Sequence, residues 1–315
     1  MLMTWKINSD EKEWDTGLAN LGGHPLQSTL WGNAKRIVCG VTDERLALYQ
    51  QNKLIGMARI EIKGLKPWLK CAWIPQGPVV SACIDQEAVK TSLLAYLKKT
   101  GYLLCVSAPW QSAIMTSAER KTIWLDLTIG KENLWENLDK QWRYGVRSAI
   151  RFGVVTNIAN TQQELSDFYQ LCTSISREKK FHFQYSEKFF RHLFHQNHGD
   201  VETKLFLAKY ENRVVAGAFI FRVGKTIHYM FGAVNRNYAK QRAGELIQWA
   251  VIEWAILQNY MLYDLGGINQ LENPGVAAFK KKMGGEVVAL QDMQLCVLNR
   301  RGALISGLVK SKLSQ

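Results

Sequence analysis

Two stretches half a chain apart read alike. LYQQNKLIGMARIEI covers residues 48–62 and AKYENRVVAGAFIFR covers residues 208–222. Each has a tyrosine, polar residues, an asparagine followed by a base, two aliphatics, and a glycine entering an apolar strand. Apolar runs on both sides of a short polar turn are the signature of a β-hairpin. Asn52 and Asn212 stand 160 positions apart in a chain of 315 residues. The spacing points to two copies of one α/β unit with a substrate cleft between them; a chance match of two short hairpins is the alternative.

The rest of the chain gives each half the order strand, helices, antiparallel meander, helix, strand. In the first half TWKI reads as a strand and EKEWDTGLANL as a helix. Pro25 breaks what precedes it, and Ser28 is placed to cap a helix carrying Trp31 and Lys35. Residues 36–62 predict a hairpin that starts at RIVCGVT. DQEAVKTSLLAYLKKTG predicts a helix ending at Gly101, and YLLCVSAP a buried strand stopped by Pro109. After the strand KTIWLDLTI, the segment KENLWENLDKQWRYGVRSAIRFG predicts one long helix. Its Arg143, Arg147 and Arg151 recur at i, i+4, i+8 beside Trp142 and Tyr144. That is either a solvated face or a phosphate-tracking stripe. Two more helices, a three-strand meander over 203–234, a long apolar helix, a strand pair and a basic tail complete the chain. The class is α/β (α+β) with mixed sheets. The order is not a βαβ series and no G-x-G-x-x-G occurs, which excludes a Rossmann dinucleotide site.

Charge narrows the partners. Forty Lys and Arg against 27 Asp and Glu leave a net charge of +13, which favours anionic ligands: nucleic acid, phosphorylated substrates or an acidic membrane face. The six cysteines have no C-x-x-C spacing and several lie in apolar runs, so reduced thiols and a cytoplasmic setting are expected. The first residues lack the apolar core of a signal peptide, and no run approaches the length of a spanning helix. Leu308, Val309 and Leu313 among the lysines of the tail leave open either a peripheral membrane contact or a frayed, solvated end. His192, His195 and His198 recur at intervals of three but lack an H-E-x-x-H arrangement, so no metal site is assigned.

Chemistry concentrates in YDLGGINQLENPGVAAFKKKMGG, residues 263–285. A strand ends at Asp264, the glycines Gly266 and Gly267 let backbone approach a ligand, and a short helix delivers Phe279 and Lys280. A lysine beside such a backbone can hold an anion or an oxyanion as it forms. A Gly-rich turn followed by a solvated basic helix is the alternative. Asp264 can also simply cap the loop that follows it.

The element order resembles the GCN5-related N-acetyltransferase (GNAT) fold. The stretch Gln241-Arg242-Ala243-Gly244-Glu245-Leu246 sits where that fold binds acyl-CoA phosphates, but Leu246 replaces a small residue and Glu245 would face a pyrophosphate. A more specific resemblance spans almost the whole chain. HPLQSTLWGNAK (24–35), WIPQGPVV (73–80), W-L-D-L with R-x-x-x-R-x-A-I-R-x-G-V (124–154) and YDLGGI…GVAAFKKKMGG (263–285) occur in the order of the FemABX peptidoglycan cross-bridge aminoacyltransferases.

The FemABX resemblance implies two tandem GNAT-like domains: residues 1–125, rejoined by 290–315, and residues 126–289 with the acyl site. It implies transfer of an amino acid from aminoacyl-tRNA to the stem-peptide amine of a UDP-MurNAc-peptide or lipid-linked precursor. No cofactor is implied, and an acyl-CoA-dependent N-acyltransferase is the alternative. By the same resemblance Lys280 and Phe279 form the acyl site. Lys35, with Trp31 in the same helix and Arg177 further on, would hold the precursor's diphosphate. Asp264, Gly266 and Gly267 would line the substrate site, and Arg143, Arg147 and Arg151 would meet tRNA or phosphate. The helical tRNA arm of some members is absent. Family members often carry an aspartate before the proline that ends the first-domain strand; here the dipeptide is Ala108-Pro109.

Overall fold

The computed structural model describes residues 3–64, 69–107, 121–179, 182–269, 273–290 and 294–313. Ala108 and Pro109 lie outside them. The described chain forms two compact units: 1–118 with 198–200 and 290–315, and 119–197 with 201–289.

The first unit opens with β1 (Met3–Ile7), α1 (Glu11–Asn20) and α2 (Thr29–Cys39). β2 (Thr42–Gln50), β3 (Lys53–Lys63), β4 (Cys71–Ile74), β5 (Val79–Val80), α3 (Gln86–Lys99) and β6 (Leu104–Ser107) follow. Ser28 caps α2 by accepting from the Trp31 N–H. The helix then runs through RIVC to Cys39 and is capped at Gly40, so the strand expected from RIVCGVT is helical over residues 36–39 and β2 begins only at Thr42. An uninterrupted 3.6-residue pattern from a good cap outweighs the β-branched pair inside it.

The second unit holds β7 (Lys121–Asp126), α4 (Lys131–Asn137), α5 (Lys140–Arg151), β8 (Val155–Ile158), α6 (Gln162–Glu178) and α7 (Glu187–Leu193). It continues with β9 (Val201–Tyr210), β10 (Arg213–Val223), β11 (Thr226–Val234), α8 (Ala243–Leu257), β12 (Leu262–Asp264), α9 (Pro274–Lys281) and β13 (Glu286–Ala289). The long helix expected over 131–153 is two helices. Asp139 caps the second by accepting from the Gln141 N–H, and this local bond competes with continuation of the first. β14 (Gln294–Val297) and α10 (Arg300–Leu313) return to the first unit, so the basic tail is helical.

The two sheets share a topology. The first runs β1-β2-β3-β4-β6-β14, with β5 beside β3. The second, read the same way, runs β8-β9-β10-β11-β12-β7-β13. In each, one parallel pair follows the meander: β4 with β6, and β11 with β12. In each an antiparallel strand from the other half of the sequence comes next, β14 beside β6 and β7 beside β12. β7, which the sequence leaves with the first domain, therefore belongs to the second sheet, where its registers with β12 and β13 satisfy both of its edges. The two hairpins behind the internal repeat are β2–β3 and β9–β10. Both turn on a pair of residues at positive φ, Gln51-Asn52 and Glu211-Asn212, which matches the right-handed twist of the flanking strands.

The second unit's core packs α4, α5 and α8 against one face of its sheet through Leu134, Trp142, Val146, Ile247, Val251 and Ile252. An aromatic cluster covers the other face: Phe168 of α6 and Phe190 of α7 stand edge-on to one another and both meet Phe219 of β10. α7 ends at Leu193, and His195 has φ +58°, so the three histidines do not share a helical face. Among the described residues no group of three or more His, Cys, Asp or Glu is arranged to hold a metal ion. Among them, too, no helix is long and apolar enough to cross a membrane.

Candidate active site

In the second unit the site grows from strand pairing. β12 pairs parallel with β11 over three residues, which sets Asp264 opposite His228. It pairs antiparallel with β7, which sets Asp264 opposite Trp124, two residues from Thr122. Directly paired residues project to the same face, as do residues two apart on a strand. His228, Asp264 and Thr122 therefore converge. The Thr122 hydroxyl donates to Asp264 Oδ1, the Gly266 N–H donates to the same oxygen at 2.8 Å, and His228 Nδ1 lies 3.6 Å from Oδ2. Burial alone would raise the Asp264 carboxyl; His228, Thr122 and the Gly266 N–H outweigh it and hold the group well below the usual carboxylate range.

The turn after Asp264 needs its glycine. Gly266 has φ +73°, and a Cβ there would come within 3.0 Å of the Tyr229 carbonyl oxygen and 3.7 Å of Lys280 Nζ. Once turned, the loop presents two carbonyls to α9. Lys280 Nζ donates to Gly266 O at 3.2 Å and Gly267 O at 3.0 Å, and sits 5.6 Å from the centre of the Tyr229 ring. Of the three lysines in the run, Lys280 is buried, with 8% of its surface exposed, while Lys281 and Lys282 are exposed. α9 produces this selection: Ala277 and Lys280, three apart, form its inner face. Burial pushes the Lys280 ammonium down to about 8, against an upward pull from Asp264.

Phe279 is half-buried beside it, 5.7 Å from Trp142 of α5 and close to Gly244 at the start of α8. At that helix start Arg242 has φ +53° and pairs with Glu245 at 3.2 Å. The Glu245 side chain packs against Gly145 of α5, and burial raises its carboxyl. An acid thus occupies the helix end where a GNAT-type loop would receive a pyrophosphate.

The arginine stripe divides. Arg143 donates through Nη1 to the carbonyls of Trp135, Glu136 and Leu138, at 3.2, 2.6 and 2.9 Å, and so closes the C-terminal end of α4. Arg147 and Arg151 are exposed; the first stacks over Trp135 at 5.4 Å and the second over Tyr144 at 5.5 Å. Arg177 lies exposed in the last turn of α6.

In the first unit the motif HPLQSTLWG is chiefly a device for placing α2. Gln27 is fully buried; it accepts from the Arg59 N–H at 2.6 Å and donates to Pro75 O at 2.6 Å. Asp15 accepts from the Thr29 N–H at 2.9 Å and from its hydroxyl. Trp31 is a core side chain, 3% exposed, and not a surface waiting for substrate. Gly32 lies so close to β2 and β3 that a Cβ would fall 2.8 Å from Asp43 Oδ2 and 3.1 Å from Arg59 Cδ. Arg59, wholly buried, pairs with Asp43 at 3.3 Å and Glu61 at 2.9 Å. Burial would raise Glu61; Arg59, then Lys63 and Lys35, outweigh it and lower it. Lys35 is therefore half-buried, one turn beyond Trp31, within electrostatic reach of that network.

Residues 136–281 match the acetyltransferase (GNAT) domain family. A UDP-N-acetylmuramoylpentapeptide-lysine N(6)-alanyltransferase of Weissella viridescens is 29% identical over 125 residues, 39% of this chain and 36% of the relative. The match thus spans about a third of that curated relative. The crystal structure of FemX superposes with a TM-score of 0.79 at 16% identity, covering 97% of this chain and 99% of FemX. In fold, and over part of its sequence, the chain is similar to proteins of the FemABX family. A tandem GNAT protein from the clavulanic acid biosynthesis pathway superposes more loosely, with a TM-score of 0.57 at 10% identity over 95% of this chain and 99% of that one. These structural likenesses carry the fold, two GNAT-type domains in tandem.

The sequence locates the candidate acyl stretch but not its support. His228 and Thr122 carry no local signal: each is one polar residue in a strand, and only the pairing of β11, β12 and β7 brings them to Asp264.

Proposed function

We propose that this chain transfers an aminoacyl group from aminoacyl-tRNA to the stem-peptide amine of a peptidoglycan precursor. The single observation that carries the reading is the buried ammonium of Lys280, held by two backbone carbonyls beside the half-buried ring of Phe279. The amine nitrogen attacks the ester carbonyl, the new C–N bond forms, and the carbonyl oxygen takes the negative charge. Collapse breaks the C–O bond to the tRNA ribose, and the proton released from the amine ends on that ribose oxygen or in solvent. The ester is already activated, so positioning and charge stabilisation are what the protein must supply. Lys280 meets the oxyanion and Phe279 packs against the acyl group or terminal adenosine. Lys35 and Arg177 are the proposed phosphate contacts of the acceptor, and Arg147 and Arg151 those of the tRNA. The acceptor class draws support from the activity named for the Weissella relative. The half-buried Glu245 at the start of α8 favours tRNA over acyl-CoA, because an acid there opposes the binding of a pyrophosphate.

The test offers labelled alanyl-tRNA and labelled acetyl-CoA, in parallel, to wild type and Lys280→Met. UDP-MurNAc-pentapeptide and a lipid-linked precursor serve as acceptors. Label arriving from tRNA, and lost in the variant, is the expected result. Label arriving from acetyl-CoA alone overturns the donor; no transfer from either overturns the acceptor.

A further inference from the structure

The chain of contacts behind Lys280 does not stop at the two carbonyls. Gly266 accepts from Lys280 through its oxygen and donates to Asp264 through its N–H, so one peptide turn couples the cation to a buried carboxylate. That carboxylate is itself fixed on three sides, by the Gly266 N–H, by the Thr122 hydroxyl on β7 and by His228 on β11. We propose that Asp264 is the positioning counter-ion of Lys280, orienting it through the Gly266–Gly267 turn and sustaining its positive charge, with Thr122 and His228 locking the carboxylate. This deepens the proposed function and rests on it, since orientation matters only if Lys280 meets an oxyanion.

Two features of the geometry favour the assignment. First, the ammonium bonds carbonyls rather than the carboxylate itself, so the charge of Asp264 acts one step away and leaves the cation's field directed at a ligand. Second, Asp264 is the acid whose charge acts on Lys280. The other titratable groups around the pair are Tyr229 under the ammonium, His228 beside the carboxylate, and Tyr263, whose hydroxyl donates to Gln248 of α8 at 2.7 Å. Glu245 of α8 lies against Gly145, and Lys281 and Lys282 on the same helix are exposed. In a low-dielectric pocket an opposite charge a few ångströms away shifts a titration by about one to three pH units.

Asp264→Asn separates charge from geometry, because its amide oxygen still accepts from Gly266 and Thr122. Lys280 is titrated directly in the full chain by NMR of 13Cε-labelled lysine, its signal identified by its loss in Lys280→Met. The pH dependence of kcat is measured alongside, with alanyl-tRNA and UDP-MurNAc-pentapeptide. The expected result is a wild-type titration at about 8. In Asp264→Asn it falls lower by about one pH unit or more, and the alkaline limb of kcat moves with it. Thr122→Val keeps the charge but frees the carboxylate: Lys280 should titrate as in wild type while kcat drops about tenfold at little-changed KM, and Thr122→Ser should restore it. A Lys280 titration unmoved by Asp264→Asn, or an undiminished kcat in Thr122→Val, overturns the proposal. If Asp264→Asn does not fold, the Thr122 pair alone decides. Failure of the functional reading shows separately, as activity that survives Lys280→Met while the NMR titration still responds to Asp264.

Discussion

Lys280 Nζ lies 3.0 Å from the carbonyl oxygen of Gly267, so a buried cation is held by neutral oxygens rather than by a direct ion pair. Such a cation is costly to bury and keeps its charge available to a ligand. Lys280→Met is expected to lower kcat by about 10²–10³, the cost of losing one preorganised oxyanion contact, with smaller change in KM. Steady-state kinetics checks this.

The same burial makes stability depend on pH. Folding lowers the Lys280 titration from 10.5 to about 8. Below the lower value both folded and unfolded chains carry the proton, and the burial cost is fully present. Between the two the unfolded chain binds the proton and the folded one does not, so stability rises with pH there. The lysine's contribution amounts to on the order of 3 kcal/mol across that window. Denaturant titrations of wild type and Lys280→Met from neutral to alkaline pH should show this rise in the first and its absence in the second. Activity runs the other way: it needs the ammonium, so kcat should fall as pH climbs through about 8.

Gly266→Ala forces a side chain into a left-handed turn whose Cβ would crowd the Tyr229 carbonyl at 3.0 Å. The backbone term costs about 1–2 kcal/mol. The larger effect is expected in catalysis, a drop in kcat of about tenfold or more as the two carbonyls shift under Lys280. Thermal melts and kinetics on one preparation separate the two.

Arg59→Ala strands Glu61 and Asp43 beneath α2 and removes the bond to Leu26 O at 2.9 Å. The expected destabilisation is about 3–5 kcal/mol, because the buried Glu61 loses its buried partner and keeps only the half-exposed Lys63 at 3.1 Å. A surface ion pair such as Arg191–Glu187 should contribute less than about 1 kcal/mol. Urea midpoints of the two alanine variants test the contrast.

Arg143 and Arg147, one helical turn apart, should fail differently. Arg143→Ala removes a donor shared by three carbonyls at the end of α4, of which Trp135 O still accepts from the Leu138 N–H, and should lower stability by about 1–3 kcal/mol. Arg147→Ala with Arg151→Ala should leave the melting temperature nearly unchanged, weaken aminoacyl-tRNA binding, and reduce the salt dependence of that binding. Filter binding at two salt concentrations, beside thermal melts, distinguishes them.

Much of this protein was legible from local chemistry. Asn52 and Asn212 each sit in a two-residue turn that their side chains tolerate at positive φ, so the repeated hairpins follow from sequence. Ser28, Asp85 and Thr161 cap helices through bonds to residues two or three positions on, and a 3.6-residue pattern then carries each helix forward. Gly266, two residues after Asp264, and the Phe-Lys step on the next helix mark the candidate acyl stretch for the same reason: turns and caps are decided within a few residues. What lies between strands was not legible. Which of Lys280, Lys281 and Lys282 faces inward depends on where α9 packs, and Arg143 changes from a presumed phosphate contact to a helix cap because α4 ends beside it. His228, Thr122 and Asp264 are separated by as many as 142 positions and meet only through strand register. Register is a long-range agreement among β7, β11 and β12, set by what each strand buries. Local sequence therefore determined the turns, the caps and the stretch that carries the three lysines, and tertiary packing and strand pairing decided which lysine is buried and which groups surround it.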